Sequence, residues 1–184
     1  MTVPRSAILD YVTYGEQRDA IRDSAMAAKR LRRLHVGPHL TFLFENDETV
    51  RYQVLEMVRV ERIVKESDIQ HELDTYNELL GGPGGLGATL LIEVVDEARR
   101  AELLPKWLDL NPTLYLELPD GSKVPPTWDE RQIGRGRLSS VQYLKWDLGG
   151  VGPVAIGCDH ADPLLHGRTE LTAEQAAALA GDLG

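Results

Sequence analysis

Residues 88–95, ATLLIEVV, decide the fold. A short apolar, β-rich run between glycines and an acidic cap predicts a buried strand. Upstream, residues 39–45, HLTFLFE, alternate β-formers after the Gly37-Pro38 stop and predict a second strand. Downstream, residues 140–148 alternate Val141, Tyr143, Lys145 and Asp147 against Gln142, Leu144, Trp146 and Leu148, which gives a strand with one wetter face. Shorter strands are expected at 113–118 and 122–124, joined by the Pro119-Asp120-Gly121 turn, and at 154–158.

Helical spacing fills much of the rest. Residues 16–34 place Ala20, Ile21, Ala27, Ala28, Leu31 and Leu34 on one side and Arg18, Arg22, Lys29, Arg32 and Arg33 on another. Asn46 or Asp47 caps a helix reaching about Lys65, and Ser67 or Asp68 caps one reaching Leu80. Asp96 opens a helix to about Trp107, and Thr172 opens an alanine-rich one through Leu183. GGPGGLG, residues 81–87, is expected to be a flexible connector, and polar residues 125–137 a loop or weak helix. These elements predict a single α+β domain over 1–184, a mixed, mainly antiparallel sheet packed by about five helices.

Composition narrows the function. The 184 residues are 42% hydrophobic and 27% charged with a formal charge of -9, which opposes binding to the phosphates of nucleic acid. The lone cysteine, Cys158, excludes a disulfide framework and multi-cysteine zinc or iron–sulfur sites. No apolar run approaches membrane-spanning length and the first residues lack a secretory pattern, so a cytoplasmic location is expected. The glycine loop has no Lys-Ser or Lys-Thr and follows a helix, so it is no nucleotide motif.

Among residues able to carry chemistry, Glu56 and Glu61 lie beside the apolar face of the second helix, where a carboxylate needs a partner or a cation. With Glu45, Glu72 or Glu93, and with His39 or His160 as nitrogen donors, they form a candidate iron or manganese set. The competing arrangement is internal pairing of Glu56 with arginines such as Arg59, Arg62 and Arg33. Without a metal, Glu56 with Tyr76 or His39 offers acid–base catalysis. No Glu-x-x-His occurs, against a di-iron bundle. Cys158 and His160 share a strand face and form a candidate thiol–imidazole pair, while His35, His71 and His166 face solvent. Arg18, Arg22, Lys29 and Arg33 form a basic helix face suited to an anion or an acidic protein.

The segments Gly37-Pro38-His39, Phe44-Glu45-Asn46, Tyr52-Gln53, Glu56-Met57, Glu61-Arg62-Ile63, Tyr76-Asn77 and Ala88-Thr89-Leu90, from Lys29 to about His160, resemble a bacterial domain-of-unknown-function family, number thirty-five hundred and one. The resemblance implies a redox or iron context, since such proteins are often encoded beside rubrerythrin-like and iron–sulfur oxidoreductase proteins. Two positions depart from the family pattern. Gln142 replaces a histidine after Ser139-Ser140, and His160-Ala161-Asp162-Pro163 replaces His-Pro-X-Tyr.

The leading expectation is therefore a redox-linked, iron-binding oxidoreductase acting on a small molecule, with Glu45, Glu56, Glu61, His39 and His160 as ligands and neither haem nor an iron–sulfur cluster. The second is a non-catalytic partner that docks an acidic iron–sulfur or ferritin-like protein through the basic helix. The third is the metal-free acid–base enzyme.

Overall fold

In the computed structural model, residues 2–134 and 136–184 are described. The helices are α1 (Tyr11–Arg32), α2 (Asp47–Val60), α3 (Glu66–Asn77), α4 (Glu97–Leu103) and α5 (Ala173–Gly181). The strands are β1 (Arg33–Val36), β2 (Leu40–Glu45), β3 (Gly85–Ile92), β4 (Leu114–Glu117), β5 (Lys123–Val124), β6 (Thr127–Trp128), β7 (Ile133–Gly134), β8 (Arg137–Leu138), β9 (Val141–Asp147), β10 (Ala155–Cys158) and β11 (Gly167–Glu170). The strand expected at 88–95 is the centre of a five-stranded sheet ordered β1-β2-β3-β9-β6. A four-stranded sheet, β11-β10-β4-β5, faces it, and every pairing described is antiparallel. The α+β architecture and its five helices match the sequence reading.

Period-two side chains place the core between the sheets. Leu40, Phe42 and Phe44 of β2, Leu86, Ala88 and Leu90 of β3, and Leu144 and Trp146 of β9 all point inward. The Trp146 ring meets Phe42 edge-on and Phe44 at a tilt, with centroids 6.5 and 5.7 Å away. Gln142 occupies the same inward row, buried, and accepts a 3.1 Å hydrogen bond from the Asn111 amide. A second hydrophobic cluster joins Tyr14 of α1 to Val50, Val54, Leu55 and Val58 of α2 and to Ile69 and Leu73 of α3.

Several boundaries differ from expectation. Asp10 caps α1, accepting from the Val12 and Thr13 amides at 3.0 Å, so the helix starts at Tyr11. It ends at Arg32, because Leu34 and Val36 are buried while Arg33 and His35 are exposed, a period-two pattern that makes β1. Helix α2 stops at Val60 where Arg62 takes φ 51; the Ile63 amide then bonds Val58 O and the Arg62 amide bonds Arg59 O, a Schellman ending with arginine in the position glycine favours. Strand β11 was not foreseen, since GRTE has no apolar alternation and pairs as an outer strand against β10.

The glycine-rich stretch is not a flexible connector. Gly85 and Gly87 belong to β3, and the chain after α3 folds directly onto them. A Cβ on Gly87 would lie 1.9 Å from Leu79 O, and one on Gly85 would lie 2.4 Å from Trp146 O. The glycines are there for close backbone approach, which fixes the end of α3 against the outer face of the sheet. Residues 125–137 are likewise more ordered than a loop, forming β6, a 3-10 turn at Glu130–Gln132, β7 and the start of β8. Met1, and Arg135 within that stretch, lie outside the described residues.

Candidate functional site

The acidic residues and histidines expected to gather round a metal stand in separate places. Glu56 is clamped between α1 and α2. Its Oε1 accepts from the buried Tyr14 hydroxyl at 2.6 Å and from Arg18 Nε at 2.8 Å, and its Oε2 accepts from Arg18 Nη2 at 3.0 Å and Arg59 Nη2 at 3.1 Å. These donors, Arg18 first, hold the Glu56 carboxyl down to about 2, while burial pushes the Tyr14 phenol up. A carboxylate with that proton affinity is no general base near neutrality. Internal pairing is what the geometry gives, with Arg18 and Arg59 as partners.

Glu45 accepts from Thr49 Oγ1 at 2.5 Å and Thr89 Oγ1 at 3.3 Å on the outer face of β2. Glu61 ends α2 and is exposed beside a shallow depression that also includes Glu72 and His71. Glu93 accepts from the buried Thr41 hydroxyl at 2.6 Å. His39 is the last residue of the β1–β2 turn; its Nδ1–H donates to Glu93 O at 2.8 Å, and its ring lies 5.8 Å from Trp107. His160 is buried in the loop after β10. Its Nδ1 accepts from the Asp162 amide at 2.9 Å, so the proton sits on Nε2 and is donated to Asp109 at 3.0 Å. Among the described residues, no three His, Cys, Asp or Glu side chains are placed to hold a metal ion. The expected iron ligands do not fit such an ion in this arrangement.

The thiol–imidazole pair is not formed either. Both nitrogens of His160 are committed, and Cys158 is fully buried 3.4 Å from the Thr113 hydroxyl, with burial raising its thiol. The basic helix face is largely used internally. Arg18 is bound to Glu56, and Lys29 Nζ lies 5.3 Å over the Tyr52 ring. Arg32, buried, forks onto Asp182 at 2.6 and 2.8 Å. Arg22, half exposed and 4.0 Å from Asp23, and Arg33, at the start of β1, are left facing solvent.

Tyr76 lines a more enclosed cleft than the depression beside Glu61. Its neighbour Asn77 turns the other way, exchanging hydrogen bonds with the backbone of Val3 at 2.9 and 3.1 Å. The cleft beside Tyr76 has a volume of about 540 Å³, within the range of small-molecule sites. Its floor is the sheet at Ala88 and Leu144, one wall is the end of α3, and the other is the segment from Thr127 to Gln132. Tyr143 and Lys145 stand two apart on β9, and Thr127 pairs with Lys145, so all three project from the outer sheet face. Gly87, without a side chain, lets the end of α3 close the far side.

Among the described residues, the phenols of Tyr76 and Tyr143 and the Lys145 ammonium have no internal hydrogen-bond or ion-pair partner. Asp129, at the rim, is occupied. It caps the 3-10 turn through the Arg131 amide at 2.8 Å, and the Arg131 guanidinium holds its carboxyl down to about 2. Among the described residues the site thus offers two aromatic faces with hydroxyl tips and one cation with no internal partner. Sequence reasoning missed Tyr143 and Lys145 as site residues, although their shared face on the 140–148 strand was readable. Thr127, Asp129 and Gln132 carried no signal, since no periodicity marks residues that reach β9 through two-residue strands.

A sequence-family profile described as "Protein of unknown function (DUF3501)" matches residues 2–183. No curated protein matches the chain. A crystal structure from Burkholderia pseudomallei, described as a novel protein of unknown function, is similar over 100% of both chains at 32% identity and a TM-score of 0.88. The chain belongs to the DUF3501 family of proteins of unknown function.

Proposed function

We propose that this protein binds a small planar molecule in the cleft between α3 and β9. The observation that carries the reading is the convergence of Tyr76 and Tyr143, from separate elements, with Lys145, unpaired among the described residues, in one cavity of about 540 Å³. Tyrosine faces take a ring through dispersion and stacking, their hydroxyls set its orientation, and an ammonium attracts an acidic or strongly polar substituent. A small-molecule ligand is also what the sequence leads one to expect. The reading leaves iron aside, because the residues named for iron stand apart: Glu45, Glu56, His39 and His160 are held in separate structural contacts, and Glu61 is exposed at the end of α2. It leaves the docking helix aside too, because two of the four residues named for that face, Arg18 and Lys29, are engaged by Glu56 and the Tyr52 ring.

Isothermal titration with 4-hydroxybenzoate, a planar ring with a phenol and a carboxylate, tests this. The wild-type protein is expected to bind with a dissociation constant on the order of 0.1 mM, as suits about ten heavy atoms at moderate efficiency. Tyr143→Ala and Lys145→Met should each weaken binding about tenfold while leaving thermal unfolding unchanged, since both side chains are surface-facing. Absence of saturable heat in the wild type, or full affinity in both variants, would overturn the proposal.

A further inference from the structure

The outer wall of the cleft is attached to the sheet in an unusual way. Strand β6 covers the edge of β9 for only two residues, Thr127 opposite Lys145 and Trp128 opposite Leu144. Beyond them, at Tyr143, the edge is met by a side chain. Gln132 Oε1 accepts from the Tyr143 amide at 2.6 Å, and Gln132 Nε2 donates to the Tyr143 carbonyl at 3.2 Å. A primary amide presents a donor and an acceptor side by side, as a strand residue does in a hydrogen-bonded antiparallel pair. One glutamine thereby replaces the missing ladder partner of Tyr143. The turn that carries it is itself pre-formed, because Asp129 accepts from both the amide and the side chain of Arg131.

We infer that Gln132 is the positioning residue of the cleft, setting the place of the Tyr143 backbone and the separation of the two walls. This rests on the cleft being the ligand site. Three features support it. Tyr143 is 46% exposed, so packing alone does not hold its ring. Among the described residues, its backbone is the one point at which the 3-10 turn and β9 exchange a matched pair of hydrogen bonds. The turn and Tyr143 also line the same cavity. Gln132 is half-buried at the wall of the cleft, and Ile133 and Leu138 anchor the rest of the segment in the core, so the clip can open without disturbing that anchorage.

Amide hydrogen exchange and 4-hydroxybenzoate titration of Gln132→Ala and Gln132→Glu form the test. Gln132→Ala is expected to speed exchange of the Tyr143 amide about tenfold and weaken the probe about tenfold, with unfolding temperature unchanged. Gln132→Glu keeps the acceptor for the Tyr143 amide but sets a carboxylate oxygen against its carbonyl. It should keep most of the amide protection and lose affinity to an intermediate degree. Unchanged exchange at Tyr143, or unchanged affinity despite faster exchange, would overturn the positioning role while leaving the cleft standing. Failure of the wild type to bind the probe, with Tyr143 exchange still set by Gln132, would instead overturn the cleft reading and with it the inferred role in binding.

Discussion

Glu56→Ala is expected to lower the unfolding free energy by about 3 kcal/mol, measured by urea titration near neutral pH, without weakening 4-hydroxybenzoate binding. The substitution leaves the buried Tyr14 hydroxyl without its acceptor and two guanidiniums, of Arg18 and Arg59, without their counter-charge. Removing the acceptor of a half-buried network costs more than the network contributes net, because the Tyr14 hydroxyl stays desolvated and the two half-buried guanidiniums lose their shared counter-charge. Direction in pH follows from the same contacts. The Glu56 carboxyl is held at about 2 in the fold, against 4.5 as its ordinary value. A depressed carboxyl stabilises the fold fully above its unfolded value and loses that contribution as pH falls through its folded value. The wild type should therefore lose about 3 kcal/mol between roughly pH 4.5 and 2 from this group, and Glu56→Ala should lack that part of the slope. Equal acid sensitivity in the two proteins would show that the clamp contributes nothing to stability.

Arg32→Ala should be at least as damaging, at about 3–5 kcal/mol. Arg32 ends α1 and Asp182 caps the C-terminus of α5; their side chains are 11% and 10% exposed. The guanidinium forks onto both carboxylate oxygens and also donates to Ala28 O at 3.1 Å, so it ties α5 to the end of α1 over a sequence separation of 150. Alanine strands Asp182 in a nearly dry position and opens a gap under the last helix. Circular dichroism should show a lower melting temperature, and limited proteolysis should cut first beside α5. Arg32→Lys should recover only part of the loss, since an ammonium cannot make the fork. A melting temperature within a degree or two of wild type for Arg32→Ala would contradict this account.

Both arginines show where the sequence stopped being informative. The spacing of residues 16–34 placed Arg18, Arg32 and their neighbours on one helix and made them look like a surface for a partner. Charge periodicity reports which residues share a side of a helix, and it is silent on whether another helix covers that side. Here α2 brings Glu56 to Arg18, and α5 brings Asp182 to Arg32, from 38 and 150 residues away. Strands β2, β3 and β9 were legible because their burial is coded locally, as alternation or as an apolar run between breakers. Strand β1 was hidden at the end of a helical pattern, and β6 is too short to carry a pattern of its own. The cleft inherits that gap. Tyr76 was singled out, and the wet face holding Tyr143 and Lys145 was visible. What joined them was backbone approach at Gly87 and a side-chain amide standing in for a strand. Neither leaves a periodic trace.

The central claim is that the α3–β9 cleft is where this protein meets its ligand, and an amide NMR titration of the labelled wild-type protein with 4-hydroxybenzoate tests it most directly. Saturable shifts are expected to centre on Tyr76, Thr127, Gln132, Tyr143 and Lys145, with the amides around Glu56, His39 and His160 undisturbed. Saturable shifts centred on any of those last three residues, or none in the cleft at saturating probe, would contradict it.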